Sequence, residues 1–198
     1  NGRMTVANTT IHDHEKLGWM TFAQMIQKSS NIGAAKTGML LGDQRLYRYL
    51  QAFGFGQRTD IDLPGEVAGL LKSPREWGRR SLASISMGQE VGVTPLQMVS
   101  AVSAIANDGV LMKPFIVSQV RDQKGQPVKE ALPQVKRRVV SPATARMLTT
   151  IMEGVVTNGT GTKAAIPGFR AAGKTGTAQK LPGDAPAQCW KVDSQPGA

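Results

Sequence analysis

The stretch "GFRAAGKTGTAQK", Gly168 to Lys180, decides how the chain is read. Gly168, Gly173, Lys174 and Thr175 fit a phosphate-loop pattern, G-x-x-x-x-G-K-[ST]. Such a loop needs a buried strand before it and a helix opening at its lysine, so that backbone N–H groups face the phosphates. Here "KAAIPG" precedes it, with Pro167 where a central strand tolerates none, and Gly176, Thr177, Lys180 and Pro182 follow, a poor helix start. The alternative is an extended strand that presents Lys174 between hydroxyl groups, as "KTGT". That reading puts Lys174 on a carboxylate rather than on a phosphate.

The rest of the composition is compatible with one globular domain. The chain has 198 residues, 40% hydrophobic and 19% charged, enough for a core and too apolar for disorder. The formal net charge of +10 admits an anionic partner. The basic residues are scattered, and the one cluster, Lys136, Arg137 and Arg138, reads as a solvated surface turn. With 5% aromatics there is no base-stacking platform, so nucleic acid is not expected as a partner. A single cysteine, Cys189, excludes an internal disulfide and a multi-cysteine metal site. His12 and His14 flank Asp13 in "IHDHE", which reads as a polar loop before a helix; no metal and no cofactor are expected. No apolar run reaches the 18 or more residues of a membrane span, and no secretory signal opens the chain. It begins with Asn1, which suggests a processed product or a fragment.

Residues 1–18 read as polar and turn-rich. Thr21 is a helix cap for "FAQMIQK", "SSN" at Ser29–Asn31 interrupts it, and "IGAAKTGMLLG" continues as a helix to Gly42. Leu46, Tyr49, Leu50 and Phe53 form a stripe that Gly54 ends. "TDIDLPGEVAG" offers a Pro-Gly turn between short alternating runs. Three Ser/Thr-Pro pairs mark helix starts: Ser73-Pro74, Thr94-Pro95 and Ser141-Pro142. The second helix is expected to bury Leu96, Val99, Ser103 and Ala106, the third Leu148, Ile151, Met152 and Val155. Between them, "PFIVSQVRDQKGQPVKE" predicts a strand, a Lys124-Gly125 turn and a return strand. "TNGTGTKAAIPG" is a loop, and the tail 181–198 is irregular.

K-T-G occurs twice. Lys36–Gly38 falls inside an Ala-rich helix, where the lysine is a solvated surface residue. Lys174–Gly176 sits on the extended segment and alone continues into threonine. An enzyme that transfers an acyl group from a peptide C-terminus needs a cation for the carboxylate, hydroxyls beside it and an N–H for the developing oxyanion. Lys174, Thr175 and Thr177 can supply the first two, and Gly176 leaves room for a substrate backbone to pair as an added strand. Ser29 can relay a proton, and the Asn31 amide can hold a substrate carbonyl or N–H.

With these residues in order, the chain resembles the transpeptidase domain of a class B penicillin-binding protein, of the division or elongation type. The blocks "QKSSNIGAAK", "FGFGQRTDIDLPGE", "SMGQEVGVTPLQMVSAVSAIANDG" and "RAAGKTGTAQK" carry the resemblance, from about Thr21 to Lys180. The motif set of this group is S-x-x-K, then S-x-N, then K-T-G. The second matches at Ser29–Asn31 and the third at Lys174–Gly176. The resemblance implies an α+β fold, the penicillin-binding/serine β-lactamase-like transpeptidase fold, with an antiparallel sheet flanked by helices. It implies a peptidoglycan D,D-transpeptidase that cross-links stem peptides through a serine acyl-enzyme. Implied partners are the D-Ala-D-Ala end of the stem peptide, β-lactam antibiotics and a membrane-bound cell-wall synthesis complex, at the extracytoplasmic face of the cytoplasmic membrane. Substrate contacts are implied for Lys174, Thr175, Gly176 and Thr177, and catalytic roles for Ser29, Asn31 and Lys174.

One element is missing. No serine in the chain is followed by lysine at the third position on. The nucleophile and its activating lysine are therefore expected before Asn1, as are the membrane anchor and a non-catalytic module. Residues 1–198 are expected to be a partial, truncated transpeptidase domain that forms no acyl-enzyme alone. The rival readings are a non-catalytic binding remnant, a β-lactamase or sensor of the same superfamily, and a nucleotide-binding protein.

Overall fold

The structure, a computed structural model, describes residues 2–177. The expectation for residues 181–198 lies outside that range, as do residues 178–180. The opening segment holds a hairpin that its polar composition does not announce. Strand β1 (Arg3–Val6) pairs antiparallel with β2 (Thr9–His12), Val6 facing Thr9 and Arg3 facing His12. Ala7 and Asn8 make the two-residue turn at φ 46° and 65°. Two left-handed residues suit the twist of a hairpin, but the usual Asn-Gly or Asp-Gly signal is absent. Ile11 of β2 is buried with Ala35 and Ala83, so the hairpin closes one side of a core cluster.

Three helices start at the caps expected for them, Thr21, Thr94 and Ser141. Thr21 and Gln24 form a reciprocal capping box for α1 (Phe22–Gln27). Ser30 caps α2 (Asn31–Leu41), and α3 (Asp43–Ala52) follows at Gly42. Ser73-Pro74 opens only a 3-10 turn, Pro74–Glu76. The short α4 (Ser81–Ser86) crosses α2 so closely that a Cβ at Gly38 would overlap the Ser86 hydroxyl and lie 2.7 Å from its Cβ. The first K-T-G is thus a packing feature, with Lys36 exposed on the helix surface. Gly38→Ala is expected to cost about 1–3 kcal/mol through overpacking, despite the roughly 1 kcal/mol that alanine gains in helix propensity. A lowered denaturant midpoint checks this, and an unchanged or raised midpoint would refute the close crossing.

Helix α5 (Pro95–Ala106) has its Thr94–Gln97 capping box, but the buried face is not the expected one. Val99, Ser103 and Ala106 are exposed and Leu96 half-buried; Gln97, Ala101 and Ala104 are buried. The cause is Gln97, 1% exposed. Its Nε2 donates to the carbonyls of Gln57 (2.7 Å) and Ala68 (2.8 Å), and its Oε1 accepts from Thr94 N–H (2.9 Å). One polar side chain so ties the loop 53–69 onto the helix. No strand forms in "TDIDLPGEVAG"; Leu70 and Gly92 make an isolated bridge, and Glu66 accepts from the Thr59 N–H and hydroxyl and from Asp60 N–H.

Two further antiparallel pairs complete the described residues: β3 (Val110–Lys113) with β6 (Gln134–Arg138), and β4 (Gln119–Arg121) with β5 (Pro127–Glu130). The second is the predicted hairpin, its turn held by Asp122 Oδ1 on the Lys124 and Gln126 N–H groups. The cluster Lys136–Arg138 is strand rather than turn, and each cation has an internal partner. Lys136 pairs with Asp60 at 2.7 Å, Arg137 donates to Gln57 Oε1 at 3.0 Å, and Arg138 donates to the Asp108 carbonyl at 2.7 Å. The hydrogen bond and charge of Lys136 hold the Asp60 carboxyl below its ordinary pKa. Ser141 caps α6 (Pro142–Asn158). There Val155 is fully buried and Leu148, Ile151 and Met152 half-buried, as the periodicity predicts, joined by Ala145, Gly154 and Val156. Among the described residues no helix is long and apolar enough to cross a membrane.

Candidate active site

The S-x-N segment is the join between α1 and α2. Ser30 N–H bonds the Met25 carbonyl and Ser29 N–H the Ile26 carbonyl, the paired bonds of a left-handed helix terminus. Ser29 occupies the left-handed position, at φ 55°. Glycine is usual there, and another residue costs about 1–2 kcal/mol. The fold accepts that strain at a residue whose side chain carries a hydroxyl. The next residue starts the following helix: Ser30 Oγ accepts from Gly33 N–H at 2.9 Å and donates to Asp13 Oδ2 at 2.8 Å. Asp13 Oδ1 accepts from Ile32 N–H at 3.1 Å, and Asn31 Nδ2 donates to the His12 carbonyl at 3.0 Å.

The K-T-G segment reaches the same place from α6. Beyond Asn158 the backbone makes a 3-10 turn, Thr162–Ala164, and returns along the helix. Gly173 N–H bonds the Met152 carbonyl (3.2 Å), and Arg170 pairs with Glu153 (2.8 Å). Thr160 holds both sides: its N–H bonds the carbonyl of Gln27, the last residue of α1 (3.2 Å), and its hydroxyl lies 2.6 Å from that of Thr175. A Cβ at Gly154 would overlap the Gln27 amide, so the Gln27 side chain of α1 packs directly on the α6 backbone there.

The result is contact between residues 145 positions apart: Lys174 Nζ donates to Ser29 Oγ at 2.7 Å. It also donates to the Thr175 carbonyl at 2.9 Å. The lysine as a residue is exposed, but its ammonium is packed against these oxygens, and that desolvation lowers its pKa from the ordinary lysine value. A small amount of neutral amine is therefore easier to form here than on a free surface. Ser29, Lys174, Asn31 and Thr175 all belong to this one locus. Gly176 and Thr177 are exposed at its edge, and nothing lies within 4 Å of a Cβ built at Gly176.

One expectation changes. Residues 170–177 join no strand ladder among the described residues, because a strand needs a neighbour and this one is tied to a helix instead. The phosphate loop that its flanking residues disfavour is not formed: among the described residues no strand leads directly into Gly168 and no helix opens at Lys174. Nothing in the sequence signals the roles that Asp13 and Thr160 play here. Asp13 lies between two histidines that draw the eye to metal chemistry, and Thr160 lies in a glycine-rich loop; neither has a spacing signal toward the motif it touches.

Comparison with known proteins shows the family and the fold. Residues 2–192 match the family described as penicillin binding protein transpeptidase domain. Stage V sporulation protein D of Bacillus subtilis is 41% identical over 165 residues, which cover 83% of this chain and 26% of that protein. A protein of Pseudomonas aeruginosa named probable peptidoglycan D,D-transpeptidase PbpC is 34% identical over 186 residues, 92% of this chain and 30% of that one. The crystal structure of penicillin binding protein 3 from Mycobacterium tuberculosis complexed with ampicillin matches with a TM-score of 0.85 and 37% identity, covering 97% of this chain and 44% of that chain. The chain thus spans less than a third of the length of these two curated relatives. From the family match, the identities and the shared fold, the chain belongs to the penicillin-binding protein transpeptidase domain family.

Proposed function

We propose that the protein is a peptidoglycan D,D-transpeptidase, an acyl-transfer enzyme, and that residues 1–198 carry one wall of its active site. The observation that supports this most is the 2.7 Å contact between Lys174 Nζ and Ser29 Oγ. A cation beside hydroxyls at an open edge suits the terminal carboxylate of a D-Ala-D-Ala stem peptide, with Lys174, Thr175 and Thr177 as its ligands. Ser29, hydrogen-bonded to that amine, relays a proton to and from the leaving amine. One N–H of the Asn31 amide donates to the His12 carbonyl, and its Oδ1 is placed to accept from a substrate N–H. Gly176 leaves the space for the substrate backbone.

The attacking serine and its activating lysine are not in this set, since no S-x-x-K occurs in residues 1–198. They belong to further chain in the complete gene product. β-Lactams, as mimics of the same D-Ala-D-Ala end, are ligands of the completed site. The proposed setting is the outer face of the cytoplasmic membrane, within a cell-wall synthesis complex.

The test is covalent labelling. The complete gene product, incubated with a fluorescent penicillin and run under denaturing conditions, is expected to keep the label, while residues 1–198 alone keep none. A complete product that stays unlabelled would refute the transpeptidase reading, and a labelled 198-residue chain would refute the division of the site.

A further inference from the structure

Ser29 is held in a strained backbone conformation, at φ 55°, and something must hold it there. The terminus of α1 bonds the Ser29 and Ser30 N–H groups to its own carbonyls. A further restraint on the residues after Ser29 comes from outside the helices, from the end of β2. Residues 12 and 13 bond all three residues that follow Ser29. The His12 carbonyl takes the Asn31 amide (3.0 Å), Asp13 Oδ2 takes the Ser30 hydroxyl (2.8 Å), and Asp13 Oδ1 takes the Ile32 N–H (3.1 Å). The hairpin itself is anchored, because Ile11, the residue before them, is buried against Ala35 of α2 and Ala83 of α4.

We infer that Asp13 is a positioning residue for the active site: its two carboxylate oxygens lock the start of α2, and through it the left-handed Ser29 that faces Lys174. This rests on the transpeptidase reading for its effect on rate, although the lock itself does not. Among the described residues no hydrogen bond joins Asp13 to Ser29 or Lys174, so it acts through geometry and not by moving a proton. A carboxylate suits the task because it accepts from two donors at once, a hydroxyl and a backbone N–H, in directions set by one rigid plane. Ser30 is completed by the same contact: it donates to Asp13 while accepting from Gly33, so the helix cap and the clamp share one hydroxyl.

The geometry predicts an unusual pattern of rescue. In Asp13→Asn, the amide oxygen still accepts from Ile32 and the amide nitrogen can donate to Ser30 Oγ, so both contacts survive. In Asp13→Ala neither does. In the complete gene product, Asp13→Ala is expected to slow penicillin acylation on the order of 100-fold, the scale of a misplacement of about 1 Å. The loss should fall on the acylation step, with the affinity of the preceding complex little changed. Asp13→Asn should stay within about threefold of the parent. Equal losses in the two variants would overturn the inference, because they would mean that the charge and not the placement matters. An unaffected Asp13→Ala would overturn it too.

Hydrogen exchange at the Ile32 amide gives a second readout that needs no catalysis. Protection is expected to fall in Asp13→Ala and persist in Asp13→Asn, and unchanged protection in Asp13→Ala would overturn the lock. If the parent protein is never acylated, the transpeptidase reading fails while this measurement still decides the role of Asp13.

Discussion

Replacing Lys174 by alanine is expected to slow acylation of the complete gene product by a fluorescent penicillin by about 10²–10³-fold, the usual scale for removing one preorganised electrostatic group from an active site. Two functions are lost together. In the proposed site the substrate carboxylate loses its cation, and Ser29 loses the donor at 2.7 Å that orients its hydroxyl. Because the reaction is read as covalent label, binding and chemistry separate: the rate should fall at saturating penicillin as well as at low concentration. The pH dependence gives an independent signature. Burial lowers the Lys174 pKa, so the cation is fully present at low pH and is lost as pH rises through that lowered value. Carboxylate binding should therefore weaken at a lower pH than an ordinary lysine would dictate. Lys174→Arg should remove that alkaline limb while misfitting the site, since a guanidinium is larger and flatter than an ammonium. Acylation of Lys174→Ala at the parent rate would remove the basis for the site.

Gln97→Ala is expected to be the most damaging change far from the site, at about 3 kcal/mol. The side chain is fully buried and bridges α5 to the carbonyls of Gln57 and Ala68, so its removal strips those acceptors and opens a void. For a domain of this size that corresponds to a fall of about 6–12 °C in melting temperature. Gln97→Glu is the sharper variant, because it keeps the volume. It replaces the donating N–H2 by an oxygen aimed at two carbonyl oxygens, so it should destabilise as well. A melting temperature unchanged in Gln97→Glu would mean that packing alone, and not hydrogen bonding, explains the buried glutamine. Acylation measured below the melting transition should be nearly normal in both variants.

Local chemistry was legible in the sequence, and tertiary chemistry much less so. Thr94-Pro95 and Ser141-Pro142 marked true helix starts because a cap is made within four residues of itself. The Asp122–Gln126 turn was legible for the same reason. The hairpin at residues 3–12 was not, because Ala7 carries no hint of a positive φ. The face of α5 differs from the expected one because its first buried residue is a glutamine satisfied by carbonyls some 30 to 40 positions away. At the site, residue spacing alone could not join Ser29 to Lys174. The order of the motif blocks, seen as a family resemblance, supplied that pairing, and the structure brings the two side chains into contact. Asp13 stayed hidden because a carboxylate in a polar loop is ordinary until its partners are known.

The 145-position separation of Ser29 and Lys174 also has a consequence for how the protein is made. At roughly 5–20 residues per second, the ribosome emits Lys174 about 7–30 s after Ser29. Helices α1 and α2 and the first hairpin can settle in that interval, so the strained serine waits in place for a partner not yet synthesised. Closing so long a loop carries a large entropic penalty that local contacts do not share. The pocket should therefore be among the last features to form during biogenesis, and a stalled or prematurely released nascent chain would hold a folded serine turn with no lysine to meet it.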